Sequence, residues 1–335
     1  MKSAVIAGAG VHLPPKLVTN EDLCARLDTS DEWIRTRTGM AVRHVVEPGG
    51  ATSDLAVEAG RRALESAGGG GADMVVLATT TPDHQVPPTA PDITHRLGLG
   101  TTPSFDLSAA CAGFLYGLTT ASGLIATGAA SRVLLIGADA FTTMVDPDDR
   151  ATVVLFGDAA GALLLRAGDA DEPGSIGRAV LGSDGSHADL IKVPAGGSRS
   201  RSAGPVTELA DPAQTYFKMN GRDTFRHAVR RMSESSRAAV SAAGWTLDDV
   251  DRLCAHQANA RILAAVADEL GITEDRQLSN VAEVGNTAAA SLPTLLAMSA
   301  ANGTLKAGHR VLLTAFGGGL SWGSATLTWP DIEIG

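Results

Sequence analysis

A spacing that occurs twice constrains the fold of this chain more than any single motif. From Asp73-Met74-Val75-Val76-Leu77 to Arg132-Val133-Leu134-Leu135 is 59 residues, and from Asp251-Arg252-Leu253-Cys254-Ala255 to Arg310-Val311-Leu312-Leu313 is again 59. Each first member follows a helical pattern that ends in Ala-Gly, at Ala67-Gly68 and at Ala243-Gly244. Matched strands at a matched separation imply a duplicated α/β unit. Continuous apolar strands alternating with helices imply mostly parallel sheets covered on both faces. The expected division is into two halves, 1–170 and 171–335. A length of 335 residues, 44% of them hydrophobic, gives both halves enough apolar side chain for a core.

Between these landmarks the periodicity predicts a buried strand over Ser3–Gly8 and helices over 20–27 (capped by Asn20), from Thr29, over 53–67, 93–97 and 225–243. Further strands are expected over 152–156, 160–166 and 176–181. Residues 195–215, rich in Gly, Ser, Pro, Ala and charge, read as an exposed, mobile loop of the kind that borders a substrate entrance. Gly8-Ala9-Gly10 opens like a dinucleotide fingerprint, but Val11-His12-Leu13-Pro14-Pro15 supplies no third glycine and stops any helix.

Charge removes several classes of function. A net charge of -10 argues against a nucleic-acid surface and a polybasic membrane patch. With only Lys2, Lys16, Lys192, Lys218 and Lys306, an anion site has to use arginine forks. Three cysteines, Cys24, Cys111 and Cys254, suggest a reduced protein without disulfides. No apolar run approaches the roughly 20 residues of a membrane span. The opening stretch reads as a first strand and not as a signal peptide. A soluble, cytoplasmic protein with neither metal nor cofactor is expected.

The chemistry centres on Ser104-Phe105-Asp106-Leu107-Ser108-Ala109-Ala110-Cys111-Ala112-Gly113-Phe114. Phe105 and Leu107 alternate as in a strand, and Phe114, Leu115 and Leu118 recur as in a helix. Cys111 stands at the junction, where the helix N-terminus would favour a thiolate. A buried cysteine is also a common small hydrophobe, so its company matters. His256-Gln257-Ala258-Asn259 follows the strand that echoes Asp73–Leu77, and Gly285-Asn286 precedes an alanine-rich helix as Cys111 precedes its own. Alone, such a histidine is a structural residue and such an asparagine a helix cap. At equivalent strand–helix junctions of a duplicated fold, all three face one crevice. Cys111 would accept an acyl group, and neutral His256 and Asn286 would stabilise an enolate formed by loss of a carboxylate. Phe316-Gly317-Gly318-Gly319 is a hairpin turn, and it also offers an N–H that joins that of Cys111 as an oxyanion hole.

These motifs, with Asp31-Glu32-Trp33-Ile34…Arg37-Thr38-Gly39 and Phe156-Gly157-Asp158-Ala159-Ala160-Gly161, resemble β-ketoacyl-ACP synthase III, in order, from about Val5 to Trp329. The resemblance implies a thiolase fold layered α-β-α-β-α and a homodimer. It implies acylation of Cys111 by an acyl-CoA, then decarboxylative condensation with malonyl-ACP assisted by His256 and Asn286. Gly318 would supply the second oxyanion N–H. Trp33, Arg37 and Arg150 would hold CoA, and Asn259 would line the pantetheine tunnel. Met219, Gly221 and Phe225 would flank that tunnel, and Phe316 would sit against the malonyl carboxylate. Arg261 would dock the acidic carrier protein.

The chain departs from the family pattern in places. Val86 stands where a phenylalanine often closes the partner's primer pocket, which implies a longer or branched starter. Asp268-Glu269 replace a frequent lysine pair, a loss for which Arg222, Arg226, Arg230 and Arg231 would compensate. Ala255 precedes the histidine in place of proline, and Ala288 replaces a serine. Two other readings remain: an acyltransferase of the same fold that passes the Cys111 acyl group to an alcohol or amine without decarboxylation, and a non-catalytic partner subunit. The intact Cys, His and Asn set weighs against both.

Overall fold

A computed structural model describes residues 2–205, 209 and 211–335. The first half runs β1 (Ser3–His12), β2 (Lys16–Thr19), α1 (Asn20–Cys24), α2 (Asp31–Thr38), β3 (Val42–Val45), α3 (Thr52–Ser66), β4 (Met74–Ala78), α4 (Ala90–Arg96), β5 (Ser104–Leu107), α5 (Gly113–Ala126), β6 (Arg132–Asp139), α6 (Arg150–Val153) and β7 (Ala159–Gly168). The second runs β8 (Val180–Ser183), β9 (Ile191–Lys192), α7 (Ser198–Arg201), β10 (Lys218–Met219), α8 (Gly221–Ala242), β11 (Arg252–Ala255), α9 (Ala260–Leu270), α10 (Val281–Val284), α11 (Ser291–Ala301), β12 (Arg310–Gly317) and β13 (Ser321–Thr328).

The duplication is visible strand by strand. One sheet has the order β1-β7-β6-β4-β5 and the other, read from its far edge, β8-β13-β12-β11. In both, the last pairs are parallel (β6·β4, β12·β11) and the first antiparallel (β1·β7·β6, β8·β13·β12). Gln277 bridges Leu253 in parallel, where a fifth strand would lie. The offset of 178 residues that carries Asp73 onto Asp251 also carries Ala110 onto Ala288. Both alanines have a φ of 48°, a left-handed conformation rare without glycine. The repeat thus extends to a strained backbone turn.

The expectation of mostly parallel sheets is corrected, because two of the four strand pairings in the first sheet and two of the three in the second are antiparallel. In the second sheet the cause is local: only Gly318–Leu320 separate β12 from β13, too short for a crossover. The strand expected over 152–156 is instead the helical turn α6, whose N-cap Asp149 accepts a hydrogen bond from Ala151 N. The cap of α1 is Thr19 and not Asn20. Asn20 is buried and donates to Met40 O and Asp31. The 176–181 strand starts later, at Val180, with Ile176 making a single bridge to Leu327. The expected 195–215 loop lies partly outside the described residues; its described parts include α7 and a 3₁₀ turn at Pro212–Thr215.

Helices α5 and α11 lie between the two sheets. The first touches β1, β4, β6, β7 and β13, and the second touches β1, β6, β7 and β11. Helix α3 covers the outer face of the first sheet, and α8, backed by α9, covers that of the second. The layering is α-β-α-β-α. Small residues set the layer spacing. A Cβ on Gly8 or Gly10 would stand 2.4 Å from the carbonyl oxygens of Ala63 or Ala59, so these glycines let α3 lie against β1. That is the structural use of the Gly-Ala-Gly stretch. Between the sheets, a Cβ on Gly161 would meet Thr294 N at 2.5 Å. Gly161→Val is therefore expected to lower the melting temperature by about 8 °C or more, read by thermal denaturation.

Candidate active site

A cavity of about 750 Å³ runs between the second sheet, α8, α9 and the loops after β6. At one end its lining is exposed and cationic, with Arg37, Arg222, Arg226 and Arg261. At the other it carries half-buried Cys111 and buried His256, Asn286 and Phe316. The walls between are apolar. Phe141 stacks on Phe156 and Phe217 packs edge-on against both, with ring centroids 4.2 to 5.3 Å apart. A long thin substrate with an anionic head and an acyl end fits this gradient.

Each polar group at the buried end is set by backbone. His256 continues the β11 ladder, its N–H donating to Thr314 O at 2.8 Å. The next residue, Gln257, ties this loop down. Its side-chain oxygen accepts from Asn280 N and Val281 N, both at 3.1 Å, and its N–H donates to Ser291 Oγ at 2.8 Å. Asn286 is held by the first half: its N–H donates to Leu155 O at 2.9 Å and its O accepts from Gly157 N at 3.0 Å. The glycines of the Phe156-Gly157-Asp158 and Gly285-Asn286 motifs make this contact. A Cβ on Gly157 would stand 2.3 Å from Val284 O, and Gly285 has a φ of 72°. Asn286 Oδ1 accepts from Ala288 N at 3.0 Å, so the amide NH₂ is the group left to donate.

Burial governs the electrostatics. It pushes His256 down to about 4, so the ring is neutral throughout the physiological range and its Nδ1 has no protein partner. A neutral imidazole donates from only one nitrogen, which suits a carbonyl becoming an enolate. Since its protonation lies near pH 4, condensation is expected to show no loss attributable to His256 between pH 8 and pH 5.5. A pH–rate profile with a saturated acyl donor checks this.

Burial, and then the negative charge of Asp139, push the Cys111 thiol up to about 12. This opposes the thiolate expected from the helix N-terminus. Helix α5 begins only at Gly113, and Cys111 lies in a 3₁₀ turn before it, where its own backbone N–H is all that favours the anion. With the thiol pushed up in this way, an acylation at this sulfur would have to move its proton as the bond forms. Iodoacetamide at pH 7 is therefore expected to alkylate Cys111 at least ~10-fold more slowly than a free thiol.

Of the residues singled out in the sequence, Trp33, Arg37, Cys111, Met219, Gly221, Phe225, His256, Asn259, Arg261, Asn286, Phe316 and Gly318 all line the cavity. Asn259 has a second task, capping α9 by accepting from Ile262 N. Arg150 lies outside the lining but packs its guanidinium 5.0 Å from the centre of the Trp33 ring. Val86 does not line the cavity in the single chain and is 85% exposed. Phe141, Phe217 and Thr80 line it without having been singled out. Helical and strand periodicity mark such aromatics as ordinary core. Among the described residues no group of three or more His, Cys, Asp or Glu side chains could hold a metal ion. No helix among them is long and apolar enough to cross a membrane.

A duplicated α-β-α-β-α fold with a cysteine, a neutral histidine and an asparagine at the buried end of a tunnel defines a thiolase-fold enzyme of thioester chemistry. Two profiles of one family match the chain: 3-oxoacyl-[acyl-carrier-protein (ACP)] synthase III over residues 105–185, and its C-terminal part over 240–329. Beta-ketoacyl-[acyl-carrier-protein] synthase III 3 of Streptomyces coelicolor is 55% identical over 334 residues, 99% of both chains. The 3-oxoacyl-(acyl carrier protein) synthase III of Pseudomonas aeruginosa PAO1 has a crystal structure that superimposes with a TM-score of 0.92 at 47% identity, covering 99% of both chains. The priming beta-ketosynthase of the R1128 polyketide biosynthetic pathway superimposes with a TM-score of 0.90 at 34% identity, over 99% of this chain and 98% of that one. The chain belongs to the β-ketoacyl-ACP synthase III family.

Proposed function

We propose that this protein joins an acyl-CoA starter to a malonyl group carried on acyl carrier protein, initiating a fatty acid or polyketide chain. The convergence of Cys111, His256 and Asn286 at the buried end of one cavity carries the reading. Cys111 Sγ attacks the starter carbonyl, its proton leaves, and CoA departs as the thiol. The N–H groups of Cys111 and Gly318 receive the transient oxyanion. The malonyl thioester then loses carbon dioxide. The electron pair of the broken C–C bond enters an enolate that accepts hydrogen bonds from His256 and Asn286, and apolar Phe316 disfavours the charged carboxylate beside it. The enolate carbon attacks the acyl carbonyl, and Cys111 leaves as the sulfur anion and takes up a proton. Incubation with acyl-CoA and malonyl carrier, followed by mass spectrometry of the carrier, tests this. A β-ketoacyl carrier supports it. Acyl transfer to an added alcohol or amine without carbon dioxide release would favour the acyltransferase reading.

Trp33, Arg37 and Arg150 suit the adenine and phosphates of CoA, through ring stacking and planar guanidinium forks. The chain is proposed to act as a homodimer, with exposed Val86 covered by the second copy, and its halves to divide near residue 170, between β7 and β8. The carrier would dock on α8. Arg222, Arg226 and Arg230 are exposed at successive i, i+4 positions there, beside Arg261, whereas α9 ends in exposed Asp268 and Glu269. Arg226 has only a loose ion pair, 3.8 Å to Asp223, which leaves it available to an acidic partner. Arg226→Glu is expected to raise KM for malonyl carrier about 10-fold and leave KM for malonyl-CoA within about 2-fold. Steady-state kinetics with both extenders check this.

A further inference from the structure

Asp139, the last residue of β6, is fully buried and has no part in the steps above. Its carboxylate joins the two halves. Oδ1 accepts from Thr80 N at 2.7 Å and from Thr81 N, Thr81 Oγ1 and Thr79 Oγ1, each at 3.1 Å, all just beyond β4. Oδ2 accepts from Ala289 N at 2.8 Å, in the second half. Ala288, the neighbour with a φ of 48°, donates to Asn286 Oδ1. The turn that the carboxylate holds is therefore the turn that orients the Asn286 amide.

The repeat shows what this carboxylate replaces. The offset of 178 residues maps Cys111 onto Ala289 and Asp139 onto Gly317. Gly317 stands beside Cys111 N, close enough that a Cβ on it would lie 2.6 Å away. In one half, glycine at the strand end leaves a backbone N–H open to an oxyanion of the substrate. In the other, aspartate at the same strand end places its own oxyanion on the equivalent N–H.

We propose that Asp139 is a positioning residue of the condensation step, a built-in anion that fills the second half's counterpart of the oxyanion hole and so locks the 288–290 turn and the donor face of Asn286. A buried carboxylate costs stability even with its hydrogen bonds, and burial raises Asp139 to about 6. Its negative charge also works against the Cys111 anion. A residue that burdens both the fold and the nucleophile is kept for what it holds in place.

The proposal rests on the condensation reading, and the test separates the two. Wild-type protein is first assayed for Cys111 acylation by intact mass and for carbon dioxide release from malonyl carrier. Absence of decarboxylation there overturns the condensation reading itself. Asp139→Asn keeps the shape but turns an NH₂ toward one of the donors. Decarboxylation kcat is expected to fall at least ~30-fold, with KM within about 3-fold, as for loss of an enolate donor. Cys111 acylation stays within about 3-fold, and the pH dependence of thiol alkylation moves to lower pH as the nearby charge is removed. In an Asn286→Ala background the same substitution is expected to cost less than ~3-fold in decarboxylation, because both act through one donor. If Asp139→Asn does not fold, Ala288→Gly loosens the turn while relieving its strain, and the same selective loss of decarboxylation is expected, by about 5-fold. Equal loss of acylation and decarboxylation, additivity with Asn286→Ala, or no change in either step would each overturn the proposal.

Discussion

Cys111→Ala is expected to abolish acyl loading and lower β-ketoacyl formation by at least ~10⁴-fold while the chain stays folded. The side chain is small and faces the cavity, so the substitution removes the nucleophile and little packing. Carbon dioxide release is the informative readout. In the proposed mechanism, loss of the malonyl carboxylate uses the donors His256 and Asn286 and not the thiol. The variant is therefore expected to keep decarboxylating malonyl carrier, uncoupled from any product. Intact mass, product assay and carbon dioxide release on one preparation separate these outcomes. If decarboxylation disappears with loading, the enolate cannot form independently of Cys111, and the division of labour is wrong.

The reciprocal result is expected at the other two residues. His256→Ala and Asn286→Ala should each leave Cys111 acylation within about 10-fold and reduce decarboxylation by about 10²–10³-fold, the cost of one preorganised donor. Removing both should cost less than the product of the two, since in the proposed mechanism each donor serves the same enolate oxygen. The two substitutions differ in what they do to the fold. His256 sits at a strand end with its ring nitrogen Nδ1 unpartnered, so its truncation deprives no protein group of a bond. Asn286 Oδ1 receives Ala288 N, so Asn286→Ala also leaves a buried N–H without an acceptor. Its stability loss is expected to be the larger, by about 1–2 kcal/mol in denaturant titration.

Much of this was legible in the chain. The two 59-residue separations predict the duplicated sheets, because strands buried on both faces read as continuous apolar runs. Cys111, His256 and Asn286 stand out because polar residues at strand–helix junctions interrupt otherwise apolar repeats. What stayed hidden depends on contacts between distant segments. The charge state of Cys111 turns on desolvation and on Asp139, which a reading of the helix start alone does not include. Asp139 follows the apolar run of β6 and looks like the surface residue that ends a strand. The 178-residue register pairs Asp139 with Gly317 and Ala289 with Cys111, and the fold then shows the Asp139 carboxylate on Ala289 N, the counterpart of Cys111 N. The aromatics Phe141, Phe156 and Phe217 come from three loops, and no periodicity links them. In the second sheet the antiparallel β12–β13 pair follows from its short hairpin, which the Phe316–Gly319 turn already suggested.

The most direct test is a single-turnover experiment on the wild-type protein. It is loaded with a panel of acyl-CoAs, the mass of Cys111 is read, and malonyl carrier is added. The account predicts one acyl group per chain on Cys111, then its disappearance together with carbon dioxide release and an equal amount of β-ketoacyl carrier. An acyl-Cys111 that persists in the presence of malonyl carrier, or that passes to another acceptor with no carbon dioxide released, would contradict it.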